Sequence, residues 1–501
     1  MYTYSNWNSH RFQFACLLLI ITFLSACSGA PSPTPITGAP LPLEDCQLSS
    51  PGSAQSVDAR CGSLPVYEDQ AARSGRKINL HVAVIPAVSR SPRGDALFLL
   101  AGGPGEAATA SFPQFMSIFE RIHQNRSIVL VDQRGTGKSN PLNCPTPPEE
   151  LQSPSDEIDV QKTSELLKAC AAQLQGDPRL YTTSAAVEDL EQVRQALGYQ
   201  QIDLLGLSYG TRLAMAYLRQ YPQRVRSVIL DGVNPLDWEL GPHNPANAQR
   251  TLDLIFARCA ADPACHKAFP DLASEFSDLM AALDEQPLEL SVPHPITGEM
   301  TPLKLTRNSV APAIMLISYS PENAALLPLL IHTAHQRKDY SPLAVQYLMA
   351  TGSLEEALSD GLYLSVLCAE DVAFYPATPP VVQSYLPAPL DIIQKECQAW
   401  PHSTVTPEFK QPVRSDVPVL ILSGEADPVT PPENGEQVAR TLTNRLHLVV
   451  PGMGHGQFYR GCMPKIITNF IESGSLDKLD TTCLQNIQPA PFFLNFSGPK
   501  P

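Results

Sequence analysis

Three side chains that together could activate a hydroxyl sit in turn-forming surroundings. They are Ser208 in Gly206-Leu207-Ser208-Tyr209-Gly210, Asp427 in Ser423-Gly424-Glu425-Ala426-Asp427-Pro428, and His455 in Pro451-Gly452-Met453-Gly454-His455-Gly456. A serine hydroxyl is a poor nucleophile at neutral pH unless a base takes its proton and an acid orients that base. The order Ser, then Asp, then His is the order in which a scaffold built around a Gly-x-Ser-x-Gly elbow presents these groups. The elbow needs a strand before it and a helix after it, because the turn between them holds the serine oxygen clear of the sheet edge. Residues 202–205 are an apolar, strand-like run, and residues 211–220 are helix-forming until Pro222 stops them. Asp427 and His455 each follow an apolar run, 417–422 and 446–450, so both are expected at strand ends. Rivals exist for both roles: Asp231 ends the preceding strand, Glu425 stands two residues from Asp427, and His447 falls within a strand.

Attack on a carbonyl builds negative charge on its oxygen, which needs two backbone N–H donors. Tyr209, directly after the nucleophile, is one expected donor, and the second belongs to a loop after an early strand. Ala101-Gly102-Gly103-Pro104-Gly105 follows the apolar run 96–100, and Gly103 is its expected donor. The stretch Asp132-Gln133-Arg134-Gly135-Thr136-Gly137-Lys138-Ser139 looks like a phosphate loop only superficially. That motif needs a glycine where Asp132 stands, so the stretch reads as a structural loop after a strand.

The elements that must position these groups alternate. Residues 78–85 read as a half-exposed strand, and 96–100 and 127–131 as strands buried on both faces. Between them 112–122 reads as helix, and a proline-rich excursion runs from Cys144 to Cys170. Val187, Leu190, Val193 and Leu197 share one helical face, with Ser184 as the expected N-cap. The elbow strand, its helix and a strand over 225–230 follow. Strands alternating with helices predict an α/β fold, a mostly parallel sheet covered by helices on both faces. The alternation stops at Pro235 and resumes at 417, so residues 236–415 read as an inserted helical cap. Such a cap would lie over the carboxyl edge of the sheet, where open α/β folds bind ligands. The expected organisation is a first core part over 46–235, the cap, a second core part over 416–483, and a surface tail over 484–501.

Composition narrows the class. Of 501 residues, 43% are hydrophobic, and 35 Lys and Arg face 50 Asp and Glu, so no basic tract exists to follow a nucleic acid backbone. The 49 prolines are about twice the ordinary share of ~5% and imply many rigid turns. The amino terminus reads as an export signal: Arg11, a 13-residue apolar run over 12–24, then Leu24-Ser25-Ala26-Cys27. The run falls short of the roughly 20 residues a membrane span needs. Leu-Ser-Ala-Cys resembles a bacterial lipobox, which makes Cys27 the lipidated first residue of the mature chain, with plain secretion as the rival. Residue 28 is serine rather than aspartate, the pattern of an outer-membrane lipoprotein facing the periplasm. Residues 28–45 then form a proline-rich tether to the membrane. Ten further cysteines, an even number in an exported chain, point to disulfides. Pairing sequence neighbours gives Cys46–Cys61, Cys144–Cys170, Cys259–Cys265, Cys368–Cys397 and Cys462–Cys483. No Cys-x-x-Cys or His-Glu-x-x-His is present, so no metal site is expected.

Gly102-Gly103-Pro104-Gly105, Asp132-Gln133-Arg134-Gly135-x-Gly137-x-Ser139 and Gly206-x-Ser208-Tyr209-Gly210, in this order, resemble the proline iminopeptidase and tripeptidyl aminopeptidase family of α/β-hydrolases. Residues 423–456 resemble that family's carboxyl-terminal region. The likeness covers about 78–235 and 416–475, and it departs at Ala101, where the proline iminopeptidases often carry histidine. It implies a serine peptidase that removes one to three residues from peptides with a free amine, without a cofactor. It also implies cap carboxylates that hold the amine, which Cys368-Ala369-Glu370-Asp371 would supply through Glu370 or Asp371. A carboxylesterase using the same three groups, and a non-catalytic binding protein on this scaffold, are the alternative readings.

Overall fold

A computed structural model describes residues 40–144, 159–376, 382–388 and 390–499. Nine strands form one sheet: β1 (Glu44–Ser49), β2 (Ser56–Tyr67), β3 (Lys77–Ile85), β4 (Ala96–Leu100), β5 (Ile128–Val131), β6 (Ile202–Leu207), β7 (Val225–Asp231), β8 (Val419–Gly424) and β9 (Arg445–Val450). Their spatial order is β1-β2-β3-β5-β4-β6-β7-β8-β9. The first three pair antiparallel, β3 meets β5 antiparallel, and every pair from β5 to β9 is parallel.

The period of two along each strand divides the core. Phe98, Leu100, Leu204, Val228 and Ile421 pack on one face with Leu190 and Val193 of α1 (Thr183–Ala196) and Leu213 and Tyr217 of α2 (Tyr209–Gln220). Leu97, Leu99, Leu205, Ile229 and Leu420 pack on the other with Phe119, Phe458 and the helix Met463–Ser473. Strands β4 and β8 are buried along their whole length, as continuous apolar runs require.

Several local expectations give way to the structure. Thr182 rather than Ser184 caps α1, its side chain accepting Ala185 N–H. The stretch read as helix over 112–122 is a 3-10 helix, Pro113–Phe119, running into a short α-helix, Glu120–Asn125. Strands β1 and β2 were not expected, since β2 carries Gly62 and Pro65 and alternates weakly. The tail does more than lie on the surface: Phe492 is buried among cap side chains, with the Arg258 guanidinium 4.0 Å above its ring.

Between β7 and β8 the chain leaves the sheet and forms a cluster of helices with its own core, Leu252, Phe276, Leu279, Ile314 and Leu327 among its members. It also contains a two-stranded hairpin, Leu288–Pro293 with Met300–Leu305. Five disulfides join Cys46–Cys61, Cys144–Cys170, Cys259–Cys265, Cys368–Cys397 and Cys462–Cys483, the pairing of sequence neighbours. Such bridges belong to an oxidising compartment, so the chain is an exported protein.

The loop after β5 is structural. Asp132 accepts Thr109 N–H at 2.9 Å and Lys138 N–H at 3.1 Å. Arg134, fully buried, forks onto Asp189 at 2.6 and 2.8 Å and donates to the carbonyls of Glu68 and Leu180. It thereby ties β2, this loop and α1 together. Replacing it strands a buried carboxylate, so Arg134→Met should lose about 3–5 kcal/mol of stability. Chemical denaturation measures this, and a loss below ~1 kcal/mol would contradict the staple role.

Candidate active site

Strand β6 turns directly into α2 at Ser208, whose φ of 55° and ψ of −122° lie far from ordinary backbone. The turn is possible because backbones meet where side chains would stand. A β-carbon on Gly206 would come within 2.4 Å of the Gly210 carbonyl oxygen, and one on Gly210 within 2.2 Å of the Leu100 oxygen. Ser208 N–H donates to the Asp231 carbonyl at 2.9 Å, pinning the serine to the end of β7. The chain strains the Ser208 backbone and supports it from both neighbouring strands.

Asp427 lies past β8 and His455 past β9. His455 Nδ1 lies 2.7 Å from Asp427 Oδ2. The same carboxylate accepts Val429 N–H and Thr430 N–H on Oδ1 and the Thr430 hydroxyl on Oδ2. Burial alone would raise the Asp427 carboxyl, but the His455 charge and these hydrogen bonds hold it below its ordinary value. Burial would likewise depress His455; the charge and hydrogen bond of Asp427, with Asp231 and Glu106 behind them, raise it above 6.5. The imidazole reaches the serine's surroundings at Gly232, where an added β-carbon would lie 2.9 Å from His455 Cε1. Gly232 directly follows the residue that holds Ser208 N–H. Ser208 and His455 thus both stand at the carboxyl end of β7.

The rivals have other partners. The Asp231 carboxylate accepts Gln457 N–H and Phe458 N–H and so fixes the chain just beyond His455; burial pushes its carboxyl up to about 7. Glu425 accepts Gly452 N–H at 2.8 Å. His447 shares a hydrogen bond with the Ser423 hydroxyl inside the sheet.

Tyr209 opens α2, where the first-turn N–H groups have no partner within the helix. In the glycine loop, Gly102 N–H points to Glu106 Oε2 at 3.3 Å. Gly103, with φ of 101°, lies against Leu358 of the cap.

Glu370 and Asp371 do not stand open to a substrate, which corrects the expectation for them. Both are fully buried. Glu370 accepts the N–H and hydroxyl of Thr183, and Asp371 takes a two-pronged contact from Arg212 at 2.9 and 3.1 Å plus Lys410 at 2.8 Å. Arg212 stands in α2, so these carboxylates fasten the cap helix Asp360–Glu370 to the elbow helix. Buried charges demand partners, and here the chain supplies them.

Two residues were missed. Thr430 stands three positions after Asp427, and its hydroxyl also lies 3.0 Å from His455 Nδ1. Glu106 ends Gly-Gly-Pro-Gly-Glu, and an acid straight after a glycine loop was the available signal. Among the described residues, no group of three or more His, Cys, Asp or Glu is arranged to hold a metal ion. Cys27 lies outside the described residues.

Comparison with known proteins agrees with this fold. The family described as alpha/beta hydrolase fold matches residues 95–293, and that described as TAP-like protein matches residues 388–483. Serine protease Hip1 of Mycobacterium tuberculosis is 24% identical over 491 residues, spanning 90% of this chain and 92% of its own. Tripeptidyl aminopeptidase of Streptomyces lividans is 25% identical over 468 residues, covering 86% of this chain and 85% of its own. Proline iminopeptidase of Neisseria gonorrhoeae is 29% identical over 147 residues, 29% of this chain and 34% of its own. The sheet, the strained serine at its elbow and both matched segments agree: the chain has the α/β-hydrolase fold, and its residues 388–483 are similar to the TAP-like family.

Proposed function

We propose that this chain is a serine peptidase that removes short amino-terminal units from peptides with a free amine, through an acyl-enzyme on Ser208. The observation that carries the reading is the 2.7 Å Asp427–His455 contact at the end of the sheet where the strained serine stands. With Nδ1–H donated to Asp427, Nε2 is free to take the Ser208 hydroxyl proton as Oγ attacks the carbonyl carbon. Tyr209 N–H and Gly103 N–H receive the oxyanion, each worth about 3 kcal/mol to the transition state. The imidazolium returns its proton to the departing amine, the C–N bond breaks, and an ester to Ser208 remains. Water, activated by the same imidazole, then releases the acyl group. Asp427 stays ionised throughout and stabilises the imidazolium.

The reading also covers where the protein works. The sequence Leu24-Ser25-Ala26-Cys27 after an apolar run supports a lipid anchor on Cys27 and an outer-membrane lipoprotein facing the periplasm. Among the described residues no helix is long and apolar enough to cross a membrane.

Aminoacyl and short peptidyl p-nitroanilides with free amines should be hydrolysed with a much higher kcat/KM than their acetyl-capped forms. Equal rates, or turnover of p-nitrophenyl esters alone, would transfer the assignment to a carboxylesterase. The base must be neutral to act, and its pKa is raised, so kcat/KM should climb with pH through a midpoint above 6.5. A pH profile with its acid limb at or below 6.5 would contradict the ion pair. Cells given radiolabelled palmitate should label the wild-type chain and not Cys27→Ser; unlabelled wild type would mean plain secretion.

A further inference from the structure

Beside the elbow, between the glycine loop and the cap, lies a cavity of about 520 Å³. Glu106, Ser111, Leu207, Leu358 and Ser359 line it. Glu106 and Leu358 are bridged backbone to backbone, and Ser359 N–H donates to the Gly105 carbonyl at 3.0 Å, so cap and loop are fastened together at this wall. Two polar groups here lack what they need. The hydrogen bonds that Glu106 receives among the described residues, from Gly102 N–H and the Ser111 hydroxyl, both end on Oε2 at 3.3 Å. It enters no ion pair with Lys or Arg among those residues, unlike Glu370 and Asp371. Ser359 is only 3% exposed, and its hydroxyl has no hydrogen-bond partner among the described residues. A buried hydroxyl left unpaired is costly, and a half-buried carboxylate without a cation is more so.

The carboxylate also stands beside the nucleophile. A β-carbon on Gly102 would lie 3.2 Å from Ser208 Cβ and 3.6 Å from Glu106 Oε2, so both groups flank one backbone position. Burial pushes the Glu106 carboxyl above its ordinary value, against the pull of Gly102, Ser111 and the His455 charge; a cation beside it would relieve that cost.

We infer that Glu106, with Ser359 beside it, holds the protonated α-amine of the substrate residue whose carbonyl Ser208 attacks. The inference rests on the peptidase reading above and gives its amine a place. An ammonium carries three N–H donors and no acceptor, which matches one carboxylate oxygen and one hydroxyl oxygen. The short span between Glu106 and Ser208 sets the length released. Each added residue moves the amine roughly 3.3–3.6 Å further along an extended chain, so a single residue fits best.

The test compares an aminoacyl p-nitroanilide with its N-acetyl form on wild type, Glu106→Gln, Glu106→Asp and Ser359→Ala. The ratio of free to capped kcat/KM should fall about tenfold or more in Glu106→Gln, chiefly through KM of the free-amine substrate. Glu106→Asp should keep part of the preference, and Ser359→Ala should lower the ratio in the same direction. Should Glu106→Gln fail to fold, Ser359→Ala reads the same ratio. A wild type that prefers free amines, with variants that lose free and capped activity equally, would overturn the inference and leave Glu106 a brace for Gly102. A wild type that hydrolyses neither amide would bring down the peptidase reading and this inference together.

Discussion

The contact between Asp427 and His455 depends on two loops that leave neighbouring strands and then fold back on each other. Nothing in either loop is regular, so the contact is held from outside. Asp231 at the end of β7 grips the backbone beyond the histidine, and Glu425 grips Gly452 ahead of it. His455 N–H donates to the Tyr319 carbonyl of the cap at 2.7 Å, and the Tyr319 ring meets the imidazole edge-on at 5.1 Å. His455 is therefore clamped between sheet and cap, with little freedom left to lose.

The cap is built into the site rather than laid over it. It reaches the imidazole through Tyr319, the glycine loop through Leu358 and Ser359, and the elbow helix through the pairing of Asp371 with Arg212. Each contact includes hydrogen-bonded polar groups, whose geometry is stricter than that of apolar packing. A shift of the cap would thus disturb Ser208, His455 and the glycine loop at once.

Much of this was legible in the sequence. Strands β4, β6 and β8 show as unbroken apolar runs, and the elbow shows as a glycine-spaced serine between a strand and a helix. Strands β1 and β2 left no such trace, because strands with much of their length exposed have no need of apolar runs. The carboxylates show the harder limit. Glu370 and Asp371 look like a binding pair on the chain, yet their partners, Thr183, Arg212 and Lys410, arrive from distant positions. No local pattern records such pairings. Glu106, hidden in a glycine loop, is the converse case: a single acid that becomes notable only when Ser208 and the cap are seen around it.

The central claim is that Ser208 is the atom donor for the covalent intermediate, and mass mapping tests it most directly. The protein is reacted with a fluorophosphonate, digested, and the modified peptide sequenced by tandem mass spectrometry. The account expects one adduct, on Ser208, and its loss when His455 is replaced by alanine. An adduct on another residue, or full hydrolysis of amides by a protein that takes no adduct, would contradict it.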